Sequence, residues 1–364
     1  MRRIVLLFYL VSALLSNSEA ALPVANDSLK IQRSGFLVFP FFLISPETSW
    51  GFGGAAVYFF KTNDEEEKLR TSDVNLISLY TLEEQIVIVL GSTVYFPKEK
   101  QVFRWQSSYS YYPDKFWGIG NNTNASNVED YTIKQFFLNP QYLWKIKPKL
   151  YFGTTVEYQL TKNFKYLSGG IFDQQNITGR YGSTTKGLGL LFTYDSRNAT
   201  YAPTKGSFIE INITEFTKLI GSSFDFVSYS VEMKKFLAIK KNTIVGLHAL
   251  AKFNNGVVPV RNLATLGGSE IMRGFYKGRY ADKNSVSFQT EVRQHLYKRL
   301  GVVGYASIGR VAGDISKLPF DNFHFAYGAG LRIMVEQKEK LNLRIDYGRG
   351  EGKDGLYVIL REAF

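Results

Sequence analysis

Cysteine is absent from the 364 residues, and histidine occurs only three times. Those two absences exclude a disulfide framework, thiol catalysis, Cys-ligated zinc, an iron–sulfur cluster and a His-rich metal site, so no cofactor or metal is expected. Proline is scarce at 10 residues. Long hydrophobic runs are missing too: beyond the N-terminus nothing approaches the ~18 apolar residues that a membrane-spanning helix needs. What is present is apolar and aromatic, with 45% hydrophobic residues, 29 Phe and 23 Tyr, which excludes a disordered chain. Lys and Arg (44) outnumber Asp and Glu (32), giving +12. A basic excess suggests an anionic partner. Here lysines cluster in short connections and arginines face acids on polar strand faces, so membrane placement accounts for the charge and no nucleic-acid partner is expected.

The N-terminus reads as an address. Arg2 and Arg3 precede an uncharged, mostly apolar stretch over 4–15, and Ser18-Glu19-Ala20 closes it as a small-x-small cleavage site. Residues 1–20 are therefore expected to be a cleaved secretory signal peptide, too short in its apolar part to span a bilayer. Residues 21–35 follow as a short periplasmic linker.

After residue 35 the hydrophobic period is two. In 150–160, Leu150, Phe152, Val156, Tyr158 and Leu160 share one face, while Tyr151, Gly153, Thr155, Glu157 and Gln159 share the other. Val286, Phe288, Val292 and Leu296 likewise oppose Ser285, Ser287, Gln289, Glu291, Arg293 and His295. Such alternation marks β-strands with one apolar face. Sixteen candidate strands result, starting near residues 36, 50, 72, 84, 101, 130, 148, 184, 206, 223, 242, 284, 300, 322, 340 and 354. Connections alternate between short ones, as at 97–100, 145–149, 240–242 and 297–300, and mostly longer ones, the longest over 113–130, 161–184 and 254–283. Two fit less well: 62–71 is long for a turn, and 45–49 is short for an outer loop.

An even strand count with turns on one side and loops on the other predicts a transmembrane antiparallel barrel of sixteen strands over 36–364. A soluble sandwich would show similar alternation. Aromatic residues crowding the strand ends, charged and glycine-bearing polar faces, and the aromatic Phe364 favour the barrel. An aromatic residue closing the last amphipathic strand, 356–364, is expected to serve as a barrel-assembly signal.

The longest loop contains Leu266-Gly267-Gly268-Ser269-Glu270-Ile271-Met272-Arg273-Gly274-Phe275, between the eleventh and twelfth strands. In that position the Arg-Gly-Phe tripeptide resembles the hallmark of the BamA/TamA family of outer-membrane barrels, also called the bacterial surface antigen family. Ser45-Pro46-Glu47-Thr48, Thr193-Tyr194-Asp195-Ser196-Arg197 with Pro203-Thr204-Lys205-Gly206, and Leu343-Arg344-Ile345-Asp346-Tyr347-Gly348 are similar to the same family. The resemblance implies that this sixth extracellular loop folds back into the barrel, with Met272, Arg273, Gly274 and Phe275 forming its lock.

The physical need is clear, because a sixteen-stranded barrel is too wide to be filled by its own side chains. A buried guanidinium also needs an anion. Glu291, on the polar face of the twelfth strand, is the expected partner of Arg273. The family's aromatic-x-Asp in the thirteenth strand reads Tyr305-Ala306-Ser307 here. The missing carboxylate leaves the lock weaker, or leaves it to another inward acid such as Asp346, Glu232 or Glu157.

About fifteen residues separate Ala20 from the first strand, too few for one of the family's periplasmic POTRA modules. The chain therefore resembles a short form without them. Pro40 removes a ladder donor near the start of the barrel, and the first strand is expected to begin after it. In the family, a weak seam between first and last strands is the proposed gate to the lipid.

Other motifs point nowhere specific. His248, His295 and His324 fall on predicted inward faces without a catalytic motif, and the glycines at 304–309 are spaced one residue too far for a nucleophile elbow. No enzymatic activity is expected. Gly118-Ile119-Gly120 and the glycines at 51–54 open no helix, so phosphate-loop readings fail. Six Asn-x-Ser/Thr sequons and the acidic run at 64–67 read as solvated polar segments.

The expected function is participation in outer-membrane protein assembly, insertion or translocation. The partners would be the outer-membrane lipid bilayer, client outer-membrane or secreted proteins, and assembly-machinery components. The alternative is a passive pore for small solutes, gated by the loop 254–283.

Overall fold

A computed structural model of the protein describes residues 34–63, 70–199, 202–317, 322–336 and 341–364. The expected signal peptide, nearly all of the linker and the acidic run at 64–67 lie outside the described residues.

Ten strands precede the long loop's entry strand: β1 (Ser34–Ser45), β2 (Ser49–Phe60), β3 (Ser72–Thr81), β4 (Ile86–Tyr95), β5 (Gln101–Phe116), β6 (Glu129–Lys147), β7 (Leu150–Lys165), β8 (Ser183–Asp195), β9 (Gly206–Phe216) and β10 (Phe226–Lys240). Next comes β11 (Thr243–Gly256), and the loop after it carries two short strands, β12 (Ala264–Leu266) and β13 (Tyr280–Asp282). The wall resumes with β14 (Asn284–Tyr297), β15 (Leu300–Ala312), β16 (His324–Glu336), β17 (Leu341–Gly350) and β18 (Lys353–Leu360). All but β12 and β13 form one closed barrel of sixteen strands, each paired antiparallel with its neighbour, and β11 pairs directly with β14. The two loop strands pair only with each other. The sixteen sequence-derived starts fall close to the observed ones, the largest offset being 223 against Phe226.

The burial pattern explains why alternation produces this wall. On β9, Ile209, Ile211 and Ile213 are exposed, while Phe208 and Thr214 are buried. On β8, Leu188, Leu190, Phe192 and Tyr194 face out, while Thr185, Leu191 and Thr193 face in. The exposed face is the apolar one and much of the buried face is polar, the reverse of a sandwich in water. A hydrocarbon surround solvates such an exterior, and closure leaves the backbone groups paired. Among the described residues no helix is long and apolar enough to cross a membrane.

The seam differs from the rest of the wall. β1 pairs with β2 along its whole length, from Ser34↔Phe60 to Ser45↔Ser49. With β18, β1 shares one register pair among the described residues, Ile44↔Val358. Two expectations fail here. The first strand does not begin after Pro40: it starts at Ser34, and Pro40 sits inside it opposite Gly54. A proline is tolerated there because β1 is nearly an edge strand, where a missing donor costs little. Nor does the last strand run to Phe364. It stops at Leu360, and residues 361–364 turn into the lumen, where Glu362, Ala363 and Phe364 are buried.

Candidate functional site: a charged lock in the lumen

The connection between β11 and β14 folds back into the barrel. Its two short strands pair as a hairpin, Ala264↔Asp282 through Leu266↔Tyr280, and the segment between them is pressed against the inner wall. Leu266, Ile271, Met272, Phe275 and Tyr280 bury themselves against Val311 of β15 and Ala326 of β16. At Gly274 the backbone takes φ +116°, and a Cβ there would lie 2.6 Å from the Arg349 carbonyl carbon of β17. Only glycine fits that approach. A Cβ on Gly350 would likewise stand 2.4 Å from the Phe275 ring, so the β17 wall is hollowed to receive the loop.

This packing delivers Arg273, fully buried, into a cluster of wall charges. Its Nη1 donates to Asp346 Oδ2 of β17 at 2.6 Å, and its Nη2 donates to Glu291 Oε1 of β14. Its guanidinium carbon lies 3.5 Å from the centroid of the Tyr305 ring of β15. Both carboxylates have further cations. Arg293 Nε reaches Glu291 Oε2 at 2.8 Å, and Asp346 accepts from Arg332 and, at 3.1 Å, from Arg344 Nη1. Burying an ion is expensive unless it is paired and hydrogen-bonded, and each of these carboxylates meets more than one guanidinium.

The loop is tied at the barrel mouth as well. Lys277 N–H donates to Glu47 Oε1 at 2.6 Å, placing the β1–β2 turn against it. Tyr276 Oη donates to Asp114 Oδ1 at 3.0 Å, Arg279 Nη1 to Thr123 Oγ1 at 2.6 Å, and Gly120 N–H to Ala281 O at 2.9 Å. Gly274 N–H donates to Tyr357 Oη of β18 at 2.9 Å. Several connections on the loop side are thereby bonded to one another. A polar cavity of about 260 Å³ remains elsewhere in the lumen, lined by Arg104, Asp195, Arg197, Glu232 and Lys234 among others.

The structure brings Met272, Arg273, Gly274 and Phe275 together with Glu291, Tyr305 and Asp346. It does not bring in Ser307, whose Oγ donates to Ala326 O at 3.4 Å. Glu232 turns to His248 and Lys234 instead, and Glu157 lies within electrostatic reach of Lys252. Asp346 thus stands where the aromatic-x-Asp carboxylate is missing. Phe364 lies in the lumen against Phe236 and His248, not in the wall.

Sequence reasoning missed Tyr357 and Glu362. Tyr357 is inward by strand alternation and could have been found that way. Glu362 carried no signal, because its position depends on the strand ending early.

The histidines meet carboxylate, amide and backbone carbonyl groups. His248 Nε2 faces Glu232 Oε1 at 2.9 Å and its Nδ1 faces Gln289 Nε2 at 2.9 Å. His295 meets the Lys298 carbonyl, and His324 sits between Glu351 and the Asn121 carbonyl.

With the geometry in place, comparison with known proteins supplies a family. The Omp85 superfamily domain matches residues 89–351. Among solved structures, BamA from Haemophilus ducreyi lacking POTRA domains 1–3 is similar over 90% of this chain and 70% of its own, at 13% identity and a TM-score of 0.61. CdiB from Escherichia coli is similar at 12% identity and a TM-score of 0.58, covering 89% of this chain and 62% of its own. CdiB from Acinetobacter baumannii gives 11% and 0.55, with coverage of 90% and 59%. The chain spans about three fifths of either CdiB chain. At such identities the structural likeness is one of fold. No curated protein matches. The domain match extends over most of the sequence and includes the loop that carries Arg273 and the strands that carry Glu291, Tyr305 and Asp346: the chain belongs to the Omp85 superfamily.

Proposed function

We propose that this barrel resides in the outer membrane, exported by its N-terminal signal, and takes part in inserting or translocating other proteins. The observation that carries this reading is the seam. β1 is zipped to β2 over its full length yet shares one register pair with β18. Its other edge therefore presents backbone donors and acceptors at the lipid boundary, next to exposed Phe36 and Val38. Unpaired backbone is costly in hydrocarbon. A client strand that pairs with this edge relieves that cost, by the same strand addition that exposed sheet edges support elsewhere.

The locked loop complements the seam. It packs against the inner wall, which supports this reading over a passive pore, and the seam at β1 and β18 is the weak point of the wall. The partners on this reading are the lipid bilayer, client outer-membrane or secreted proteins, and assembly-machinery components. The polar groups of the lumen hold and position; none of this calls for an enzymatic step.

The test is a quantitative outer-membrane and secreted proteome after deletion of the gene, with complementation by wild type and by Arg273→Ala. Loss of particular barrels or secreted proteins, restored by wild type and not by the variant, supports the reading and names the clients. An unchanged proteome overturns it.

A further inference from the structure

The segment 361–364 behaves unlike the end of a wall strand. Arg361 takes φ +86°, and its N–H donates to the Asn342 carbonyl at 2.7 Å as the ladder ends. The chain then crosses to a different part of the wall. The Phe364 ring lies with its centroid 6.0 Å from that of Phe236 on β10 and 4.9 Å from that of His248 on β11. Along the order β18-β17-β16-β15-β14-β11-β10 those strands stand five and six places from β18, well towards the opposite side of the barrel. Arg293 covers the ring at 5.1 Å and donates from Nη2 to the Phe364 carbonyl oxygen at 2.9 Å. Glu362 accepts from Arg332 Nε at 2.7 Å and from Asn342 Nδ2 at 2.7 Å, and lies 3.8 Å from Arg293 Nε.

Two arginines therefore serve the segment and the loop together. From Arg273 the contacts run to Glu291, then to Arg293, Glu362, Arg332 and Asp346, and back to Arg273. The signs alternate around a closed ring, in which every guanidinium touches two carboxylates and every carboxylate two guanidiniums. We propose that residues 361–364 form an intraluminal strap, and that strap and loop are held by this one ring, so that release of either loosens the other.

The consequence falls on the seam. Continuing the Ile44↔Val358 register would set residues 361–364 opposite Phe41, Pro40, Phe39 and Val38. Drawn into the lumen, the strap withholds those partners from β1. Released, it can extend β18 along β1 and zip the wall. The ring thus links the state of the loop to the pairing of the seam, whatever the seam admits.

The absence of cysteine makes the test clean. One pair, Gly246→Cys with Phe364→Cys, reports the strap inside, since a Cβ at Gly246 would lie 3.0 Å from the Phe364 ring. A second pair, Val38→Cys with Phe364→Cys, reports the extended strand. Oxidation is followed in the full-length protein in membranes, with gel mobility before heating as the check that the barrel is folded. The first pair is expected to crosslink and the second not. Adding Arg273→Ala should slow the first about tenfold and speed the second, as coupled sites in one ion network require. Glu362→Gln, which leaves the loop sequence intact, should do the same and also quicken amide exchange at Gly274. Rates of both pairs unchanged by Arg273→Ala and by Glu362→Gln in folded barrels would overturn the coupling. Crosslinking of the second pair alone in the otherwise unsubstituted chain would overturn the strap.

Discussion

Replacing Arg273 by alanine isolates the lock. The side chain is fully buried, forks between Asp346 and Glu291, and lies over the Tyr305 ring. Breaking a buried ion pair by removing one partner costs about 3–5 kcal/mol. A desolvated cation–π contact adds about 2 kcal/mol. Against that, Glu291 keeps Arg293, and Asp346 keeps Arg332 and Arg344, so neither carboxylate is left without a cation. The net loss of loop docking therefore belongs near the lower end, about 3 kcal/mol, or roughly 100-fold in local opening. Hydrogen exchange reads that opening directly, because the amides of Gly274 and Lys277 donate to Tyr357 Oη and Glu47 Oε1 only when the loop is docked. Arg273→Lys should fall between the two, since an ammonium keeps the charge but cannot fork between two carboxylates and stack on the ring. Exchange at both amides within about threefold of wild type, or a lysine variant equal to wild type, would refute the assignment of the lock to this guanidinium.

Three further outcomes follow from the same packing. Gly350→Val should expel Phe275 and destabilise the docked loop by about 1–3 kcal/mol, seen as faster proteolysis within 267–279, while Gly54→Ala, whose Cβ meets nothing within 4 Å, should have no such effect. Phe172, buried against Phe116 at 4.6 Å and Tyr131 at 5.3 Å, anchors the β7–β8 loop; Phe172→Ala should cost about 3–5 kcal/mol and open that loop to protease. In the same loop the Gly169 N–H, then the Tyr166 hydroxyl and Arg180, hold the Asp173 carboxyl below the usual carboxylate range. Its contribution is therefore complete above that range and is lost as pH falls through the depressed value, so protection of the Gln174 and Gln175 amides relative to their intrinsic exchange should fall in acid, and Asp173→Asn should abolish that fall.

Much of this was legible in the sequence, for identifiable reasons. Strand existence and facing follow from a strict period of two, which any one-residue slip would invert; hence the face carrying Phe288, Val292 and Leu296, all exposed, follows from the alternation alone. The Arg273–Glu291 pairing was readable because the family resemblance implied an inserted loop, a buried guanidinium requires an anion, and Glu291 is inward by parity. Asp346 was one of three candidate acids, and only the register of β17 against β16 separates it from Glu232 and Glu157. The strap was illegible. Alternation continues smoothly past Leu360, and nothing local says that Glu362 gains more from Arg332 and Asn342 than from a place in the wall. Pro40 was misread for a related reason: proline argues against a strand interior only where both edges are paired.

The central claim is that the seam between β1 and β18 must open for the barrel to work. Ile44 and Val358 are its shared register pair, and the chain carries no other thiol. Ile44→Cys with Val358→Cys should close the seam with a disulfide under oxidising conditions and release it with reductant. The account predicts that the oxidised variant fails to restore the outer-membrane and secreted proteome of a deletion strain, and that reduction recovers it. Full restoration while the disulfide is intact would contradict it.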